Sequence, residues 1–95
     1  MLERDIESYL VRRVVWLKGK AYKFSSPSNR SVPDRLCCLP NGNIKFVECK
    51  ATGKKPTPLQ AKTIKYLRSL GNEVFVVDST EKVDMLISMW LKEIK

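Results

Sequence analysis

The stretch Pro40-Asn41-Gly42-Asn43 constrains the fold of this chain more than any other. Asn-Gly is the dipeptide that best tolerates the two positive-φ positions of a tight type I′ turn, and here it separates the runs Asp34–Leu39 and Ile44–Lys50. The two runs are therefore expected to pair as an antiparallel hairpin. That pairing brings Asp34 and Glu48 to the same open end, on neighbouring strands. Side chains on a strand alternate with period two, so Glu48 and Lys50 share a face. A single turn thus gathers two carboxylates and an ammonium in one small region.

The rest of the chain supplies helices and two more strands. Leu2, Ile6, Tyr9, Leu10, Val14 and Leu17 recur at the three-and-four spacing of a helix running from Leu2 to about Lys18, with Gly19 as its stop. Ala21 to Ser25 reads as a short strand, and Ser25 to Pro33 as a loop of small polar residues with two prolines. A basic turn, Gly53 to Pro56, precedes a helix start in which Thr57 is the N-cap, Pro58 the first helical residue and Gln60 the closing member of a capping box. That helix carries Leu59, Ile64, Leu67 and Leu70 and ends at Gly71. Glu73 to Asp78 is an almost continuous apolar strand of the kind covered on both faces. A last helix spans about Thr80 to Ile94, with Val83, Leu86, Ile87, Trp90 and Leu91 on its apolar side.

The order α-β-β-β-α-β-α describes an α/β protein, a mixed sheet flanked by helices. Ninety-five residues make one domain, 1–95, because a chain this short buries only roughly 60–65% of the surface it exposes unfolded. No run approaches the ~20 apolar residues that cross a bilayer, and no signal segment opens the chain, which places the protein in the cytoplasm, with no membrane partner.

Composition removes most catalytic options. The chain has no histidine, which excludes Ser-His-Asp triads, Cys-His pairs, HExxH zinc hydrolases and histidine-metal nucleases. Its three cysteines, Cys37, Cys38 and Cys49, are odd in number and two are adjacent, so they form neither a disulfide framework nor a zinc site. Carboxylates and a lysine must carry any chemistry. The net charge of +8 points to a polyanionic partner, nucleic acid first.

Two carboxylates a few ångströms apart repel, and a hard oxygen-seeking cation relieves the repulsion. Asp34 and Glu48 are the candidate ligands, and the Cys49 carbonyl offers a further oxygen. A bound Mg²⁺ would polarise a phosphate and acidify a coordinated water, while Lys50 would orient that water and offset charge on phosphorus. The plainer reading is a pair of strand-end carboxylates salt-bridged to their neighbours.

Pro33-Asp34, thirteen intervening residues, and Glu48-Cys49-Lys50 resemble the signature of the PD-(D/E)XK nuclease superfamily. More narrowly, the chain resembles a stand-alone VRR-NUC domain. The matching stretches are Val11-Arg12-Arg13, Tyr22-Lys23-Phe24, Val32-Pro33-Asp34-Arg35, Phe46 to Lys50, Pro56 to Gln60 and Leu70 to Val74. It departs from the family at Ser31-Val32, where glycine is common, and at Cys49, where an apolar residue is usual.

The resemblance implies a restriction-endonuclease-like fold, similar to archaeal Holliday-junction resolvases, and a Mg²⁺- or Mn²⁺-dependent endonuclease with no organic cofactor. It implies a homodimer cutting four-way DNA junctions, in which Asp34 and Glu48 bind metal and Lys50 serves the attacking water. Cleavage of flaps or other branched DNA is the alternative, as is a non-catalytic DNA-binding module of the same fold. A first-helix glutamate would complete the acidic cluster. Glu3 fits best and Glu7, one turn on, is its rival, although a first-turn carboxylate is also favoured by the helix dipole alone. Gln60 is accounted for by the capping box and, in the family, also by a place near the site. Arg30, Arg35, Lys54 and Lys55 are expected to form a DNA-facing rim, extended by Lys18, Lys20 and Lys23. Trp16 and Trp90 are expected in the core or a dimer interface, with the first helix and the Trp90 end of the last helix as candidate dimer surfaces.

Overall fold

The computed structural model describes residues 1–95. The hairpin forms where the turn chemistry requires: Asn41 (φ 65°, ψ 25°) and Gly42 (φ 75°) both take positive φ within the short 3₁₀ turn Pro40–Gly42. The Leu39 N–H donates to the Asn43 carbonyl at 2.7 Å across the turn. Its arms are β2 (Arg35–Cys38) and β3 (Ile44–Cys49), paired antiparallel with Cys38 opposite Ile44 and Arg35 opposite Val47. Both are shorter than the apolar runs suggest, leaving Asp34 just before β2 and Lys50 just after β3.

Strand β1 (Lys20–Lys23) lies antiparallel to β2, and β4 (Val74–Val77) lies parallel to β3, giving the order β1-β2-β3-β4. The parallel pair needs a long crossover, and helix α2 (Pro58–Ser69) provides it. Helices α1 (Glu3–Trp16) and α3 (Thr80–Ile94) complete the element order read from the sequence. β1 starts one residue earlier than expected and stops at Lys23; the Phe24 N–H still reaches the Asp34 carbonyl at 2.8 Å, beyond the last ladder pair.

The core lies on one face of the sheet. Ile6, Leu10 and Val14 of α1 meet Ala21, Cys37, Val47, Cys49 and Val77 from the strands and Val83, Ile87 and Trp90 of α3. Phe75 packs edge-on to Trp90, ring centroids 5.7 Å apart. Trp90 is wholly buried, so the last helix presents no tryptophan to a partner. Trp16 is instead exposed, under the Arg13 guanidinium at 4.8 Å. On the other face α2 contacts β4, burying only Ile64 of its own apolar residues. Leu59 and Leu70, which share the apolar spacing of this helix, are exposed, as is Leu2. Tyr22 and Ile44 are half-exposed.

Chain reversals at the helix ends are locally encoded, with one departure. At the end of α2, Gly71 (φ 92°) takes the left-handed position and Asn72 N–H returns to the Leu67 carbonyl at 3.1 Å. At the end of α1 the same role falls to Lys18 (φ 67°), not Gly19, with Lys18 N–H to Val15 O at 2.8 Å and Gly19 N–H to Val14 O at 2.9 Å. Gly19 serves a different need. A Cβ there would stand 2.6 Å from the Cys38 carbonyl oxygen, so only glycine lets the chain pass under β2. No helix is long and apolar enough to cross a membrane.

Candidate active site

Three ends converge beside the hairpin's open end: the loop before β2, the end of β3 and the start of α1. Asp34 is fixed from both sides. Its carbonyl accepts from Phe24, and its Oδ2 accepts the Cys49 N–H at 2.9 Å. In an extended chain the N–H and C=O of one residue point to the same side. The Cys49 carbonyl therefore lies on the side of β3 where its N–H meets Asp34. The Cys49 thiol is buried in the core, where burial first and the surrounding carboxylates second push its pKa up.

Glu48 is 2% exposed. Its Oε2 lies 3.2 Å from Lys50 Nζ, while Oε1 is buried with no hydrogen-bond partner. Burial, reinforced by the Asp34 charge, raises its pKa from 4.5 to about 7, despite the opposing pull of Lys50. An acceptor-only carboxylate oxygen that is buried and bare is costly. A cation is what would satisfy it, so the donor set fits a hard metal ion: Asp34, Glu48 and the Cys49 carbonyl supply only oxygen.

Lys50 is held by α2 as well as by Glu48. Its Nζ donates to Gln60 Oε1 at 2.6 Å. The same oxygen accepts the Thr57 N–H at 2.9 Å, and Thr57 Oγ1 accepts the Gln60 N–H at 3.2 Å, completing the capping box. Gln60 therefore closes the helix start and at the same time holds the Lys50 ammonium.

Both α1 glutamates reach the cluster. Carboxylate oxygens of Glu3, Glu7 and Asp34 lie within 4.8 Å of one another, and Glu48 stands outside that close set, coupled to it through Asp34. The rivals differ in what else they touch. Glu7 Oε2 accepts from Lys23 Nζ at 2.9 Å and from Arg35 Nε at 2.6 Å. Burial raises the Glu7 pKa, but the two cations outweigh it and hold the carboxyl below its ordinary value. Glu3 is exposed and has no ion pair, which leaves its oxygens available.

Arg35 is turned away from the expected DNA rim. Its side chain is 20% exposed, pairing with Glu7 and donating to the Ala21 carbonyl at 3.1 Å. The alternation of strand side chains carries the signal for this, since Arg35 follows Asp34 and so faces α1. Arg30, Lys54 and Lys55 are exposed, and Lys18 and Lys20 with them. Ser31 stands out in the sequence only as a loop residue where the family commonly has glycine. It is 4% exposed, its Oγ 2.5 Å from Thr63 Oγ1, and its N–H donates to Asn29 Oδ1 at 3.0 Å. No local pattern announces a contact between a loop serine and a helix 32 residues away.

Carboxylates from a hairpin and a first helix, with a lysine two residues after the buried glutamate, on an α-β-β-β-α-β-α sheet, define a restriction-endonuclease-like protein. No family profile matches the chain. Over 84 residues it is 52% identical to a protein of Acyrthosiphon pisum secondary endosymbiont phage 1 described as "Putative nuclease p44", covering 88% of this chain and 90% of that one. It also superposes on a solved structure described as a VRR-NUC domain with a TM-score of 0.86 at 38% identity, covering 90% of this chain and 94% of the other. The chain belongs to the VRR-NUC family.

Proposed function

We propose that the protein is a metal-dependent endonuclease hydrolysing phosphodiester bonds in DNA, acting as a homodimer on branched substrates, four-way junctions foremost. The observation that carries the reading is the buried Glu48 carboxylate, with one bare oxygen, wedged between Asp34 and Lys50. Such an arrangement destabilises the protein by itself and has value only when a cation and a phosphate complete it. A non-catalytic binding module gains nothing from carboxylates facing phosphate. The family membership supports the chemistry, and the charge of +8 supports the substrate. A homodimer supports paired cuts, because a two-fold axis presents two identical sites to two strands.

Asp34, Glu48, the Cys49 carbonyl and Glu3 would hold the metal. Mg²⁺ or Mn²⁺ bound there supplies Lewis-acid polarisation of the phosphate and a more acidic water. The residues of the chain do the rest. The Cys49 N–H orients Asp34 by donating to one of its two carboxylate oxygens. Gln60 and Glu48 hold the Lys50 ammonium from two sides, so that it donates to the attacking water or to a phosphate oxygen as negative charge builds. Glu7, locked to Lys23 and Arg35, fixes α1 against β1 and β2 and thereby the position of Glu3.

The test is cleavage of a labelled four-way junction beside linear duplex and flap DNA, with Mg²⁺, Mn²⁺ or EDTA. Symmetric metal-dependent nicks, lost in Asp34→Ala and Lys50→Ala, are the expected result. Cutting chiefly at flaps would keep the chemistry and discard the junction assignment. Absence of cutting, with tight salt-sensitive binding, would overturn the enzyme.

A further inference from the structure

Helix α2 has a surface that neither the core nor the carboxylate site explains. Between Glu48 and Glu73 the chain has six cations, Lys50, Lys54, Lys55, Lys62, Lys65 and Arg68, and no carboxylate. On this strongly positive segment Tyr66 is 64% exposed and Leu59 61% exposed. They wall a cleft of about 300 Å³ whose remaining lining is Asn29, Ser31, Lys62 and Thr63. At its floor, buried Ser31 ties the loop to Thr63 of α2.

Both floor residues follow or precede residues of the proposed site closely along the chain. Ser31 lies three residues before Asp34, and Thr63 one helical turn after Gln60, which holds Lys50. From Gln60 to Tyr66 the helix rises about 9 Å, or two to three nucleotide steps of roughly 3.4 Å. An aromatic ring open to solvent between lysines is the chemistry that accepts a nucleobase and its phosphates. Inside a duplex both faces of a base are covered by stacking on its neighbours, so only an unstacked base can lie on such a ring. A second copy of the chain is disfavoured as the occupant, since an isologous contact through this helix would set the same lysines against each other.

We propose that this cleft is a subsite for an unpaired nucleobase near the scissile phosphate, with Tyr66 stacking on the base and Lys62 pairing with an adjoining phosphate. The inference rests on the reading of the chain as a DNA nuclease and adds a selectivity within branched substrates: a junction or flap with a base unpaired beside the cut is preferred to a fully paired one.

The test is equilibrium binding, by fluorescence anisotropy in EDTA, of a short labelled oligothymidine and a blunt duplex of equal length to the full chain. Tyr66→Ala is expected to weaken single-strand binding roughly 5- to 150-fold and duplex binding less than twofold, with Tyr66→Phe restoring the single-strand affinity. Lys62→Ala is expected to weaken both and to reduce the salt slope by about 0.7–0.9. Equal losses on the two DNAs, no loss, or failure of Tyr66→Phe to restore binding would overturn the subsite. So would a Tyr66→Ala variant that changes the sedimenting species, because a second copy would then own the face. A wild type that cuts DNA yet shows no single-strand binding overturns the subsite alone. A wild type that neither cuts nor binds overturns the nuclease as well.

Discussion

Glu48→Gln should make the metal-free protein more stable while abolishing its activity. The rise of the Glu48 pKa from 4.5 to about 7 means that the fold prefers the neutral carboxyl to the carboxylate by about 3 kcal/mol. The folded state holds this proton more tightly than the unfolded chain does. Glu48 therefore contributes most stability below pH ~4.5, and the contribution is lost as pH climbs to about 7. Glutamine never ionises, so above pH 7 it escapes the whole penalty. It forfeits the ion pair with Lys50, which makes 3 kcal/mol an upper bound and about 1–3 kcal/mol the expected gain. For a domain of this size that is roughly 5–20 °C in Tm. The assay is thermal or urea unfolding at pH 8 in EDTA, with a pH series from 4 to 8 for both proteins. Wild type should lose stability across that window and the variant should lose less. Adding Mg²⁺ should then raise the wild-type Tm and leave the variant's nearly unchanged, since binding stabilises only the protein that binds. A variant no more stable than wild type at pH 8 in EDTA would refute the claim that the burial of Glu48 outweighs its pairing with Lys50.

Other expectations follow from the same geometry. Arg35→Ala should lower stability by about 1–3 kcal/mol, because it leaves the largely buried Glu7 with only the exposed Lys23 as a partner. It should leave the salt dependence of DNA binding unchanged, whereas Arg30, Lys54 or Lys55→Ala should each reduce that slope by about one. Thr57→Ala should cost about 1 kcal/mol through the lost cap and leave cleavage intact, while Gln60→Ala should reduce both stability and kcat, as it also frees Lys50. Lys18→Gly should raise stability by about 0.5–1 kcal/mol by relieving a left-handed lysine. Gly19→Ala should lower it by more, since the added Cβ meets the Cys38 carbonyl.

Local rules made the frame legible in the sequence. The Asn41-Gly42 turn dictated a hairpin, the Thr57-Pro58-Gln60 trio a helix start, and Gly71 a helix end, because each depends on dihedral preferences and hydrogen bonds within a few residues. The same locality located Asp34, Glu48 and Lys50 together, since a turn of known length sets the register of the strands beside it. Tertiary structure decided what depends on partners far along the chain. Whether Glu3 or Glu7 is free was settled by Lys23 and Arg35, which occupy Glu7 across 16 and 28 residues. Lys18 rather than Gly19 turns left-handed at the end of α1 because the approach of Cys38 claims the glycine. Trp16 and Trp90, alike in sequence as apolar helical residues, part company because α3 lays Trp90 against Phe75 while α1 turns Trp16 to solvent. Side-chain spacing states which residues share a face; only the packing of the other elements states what that face meets.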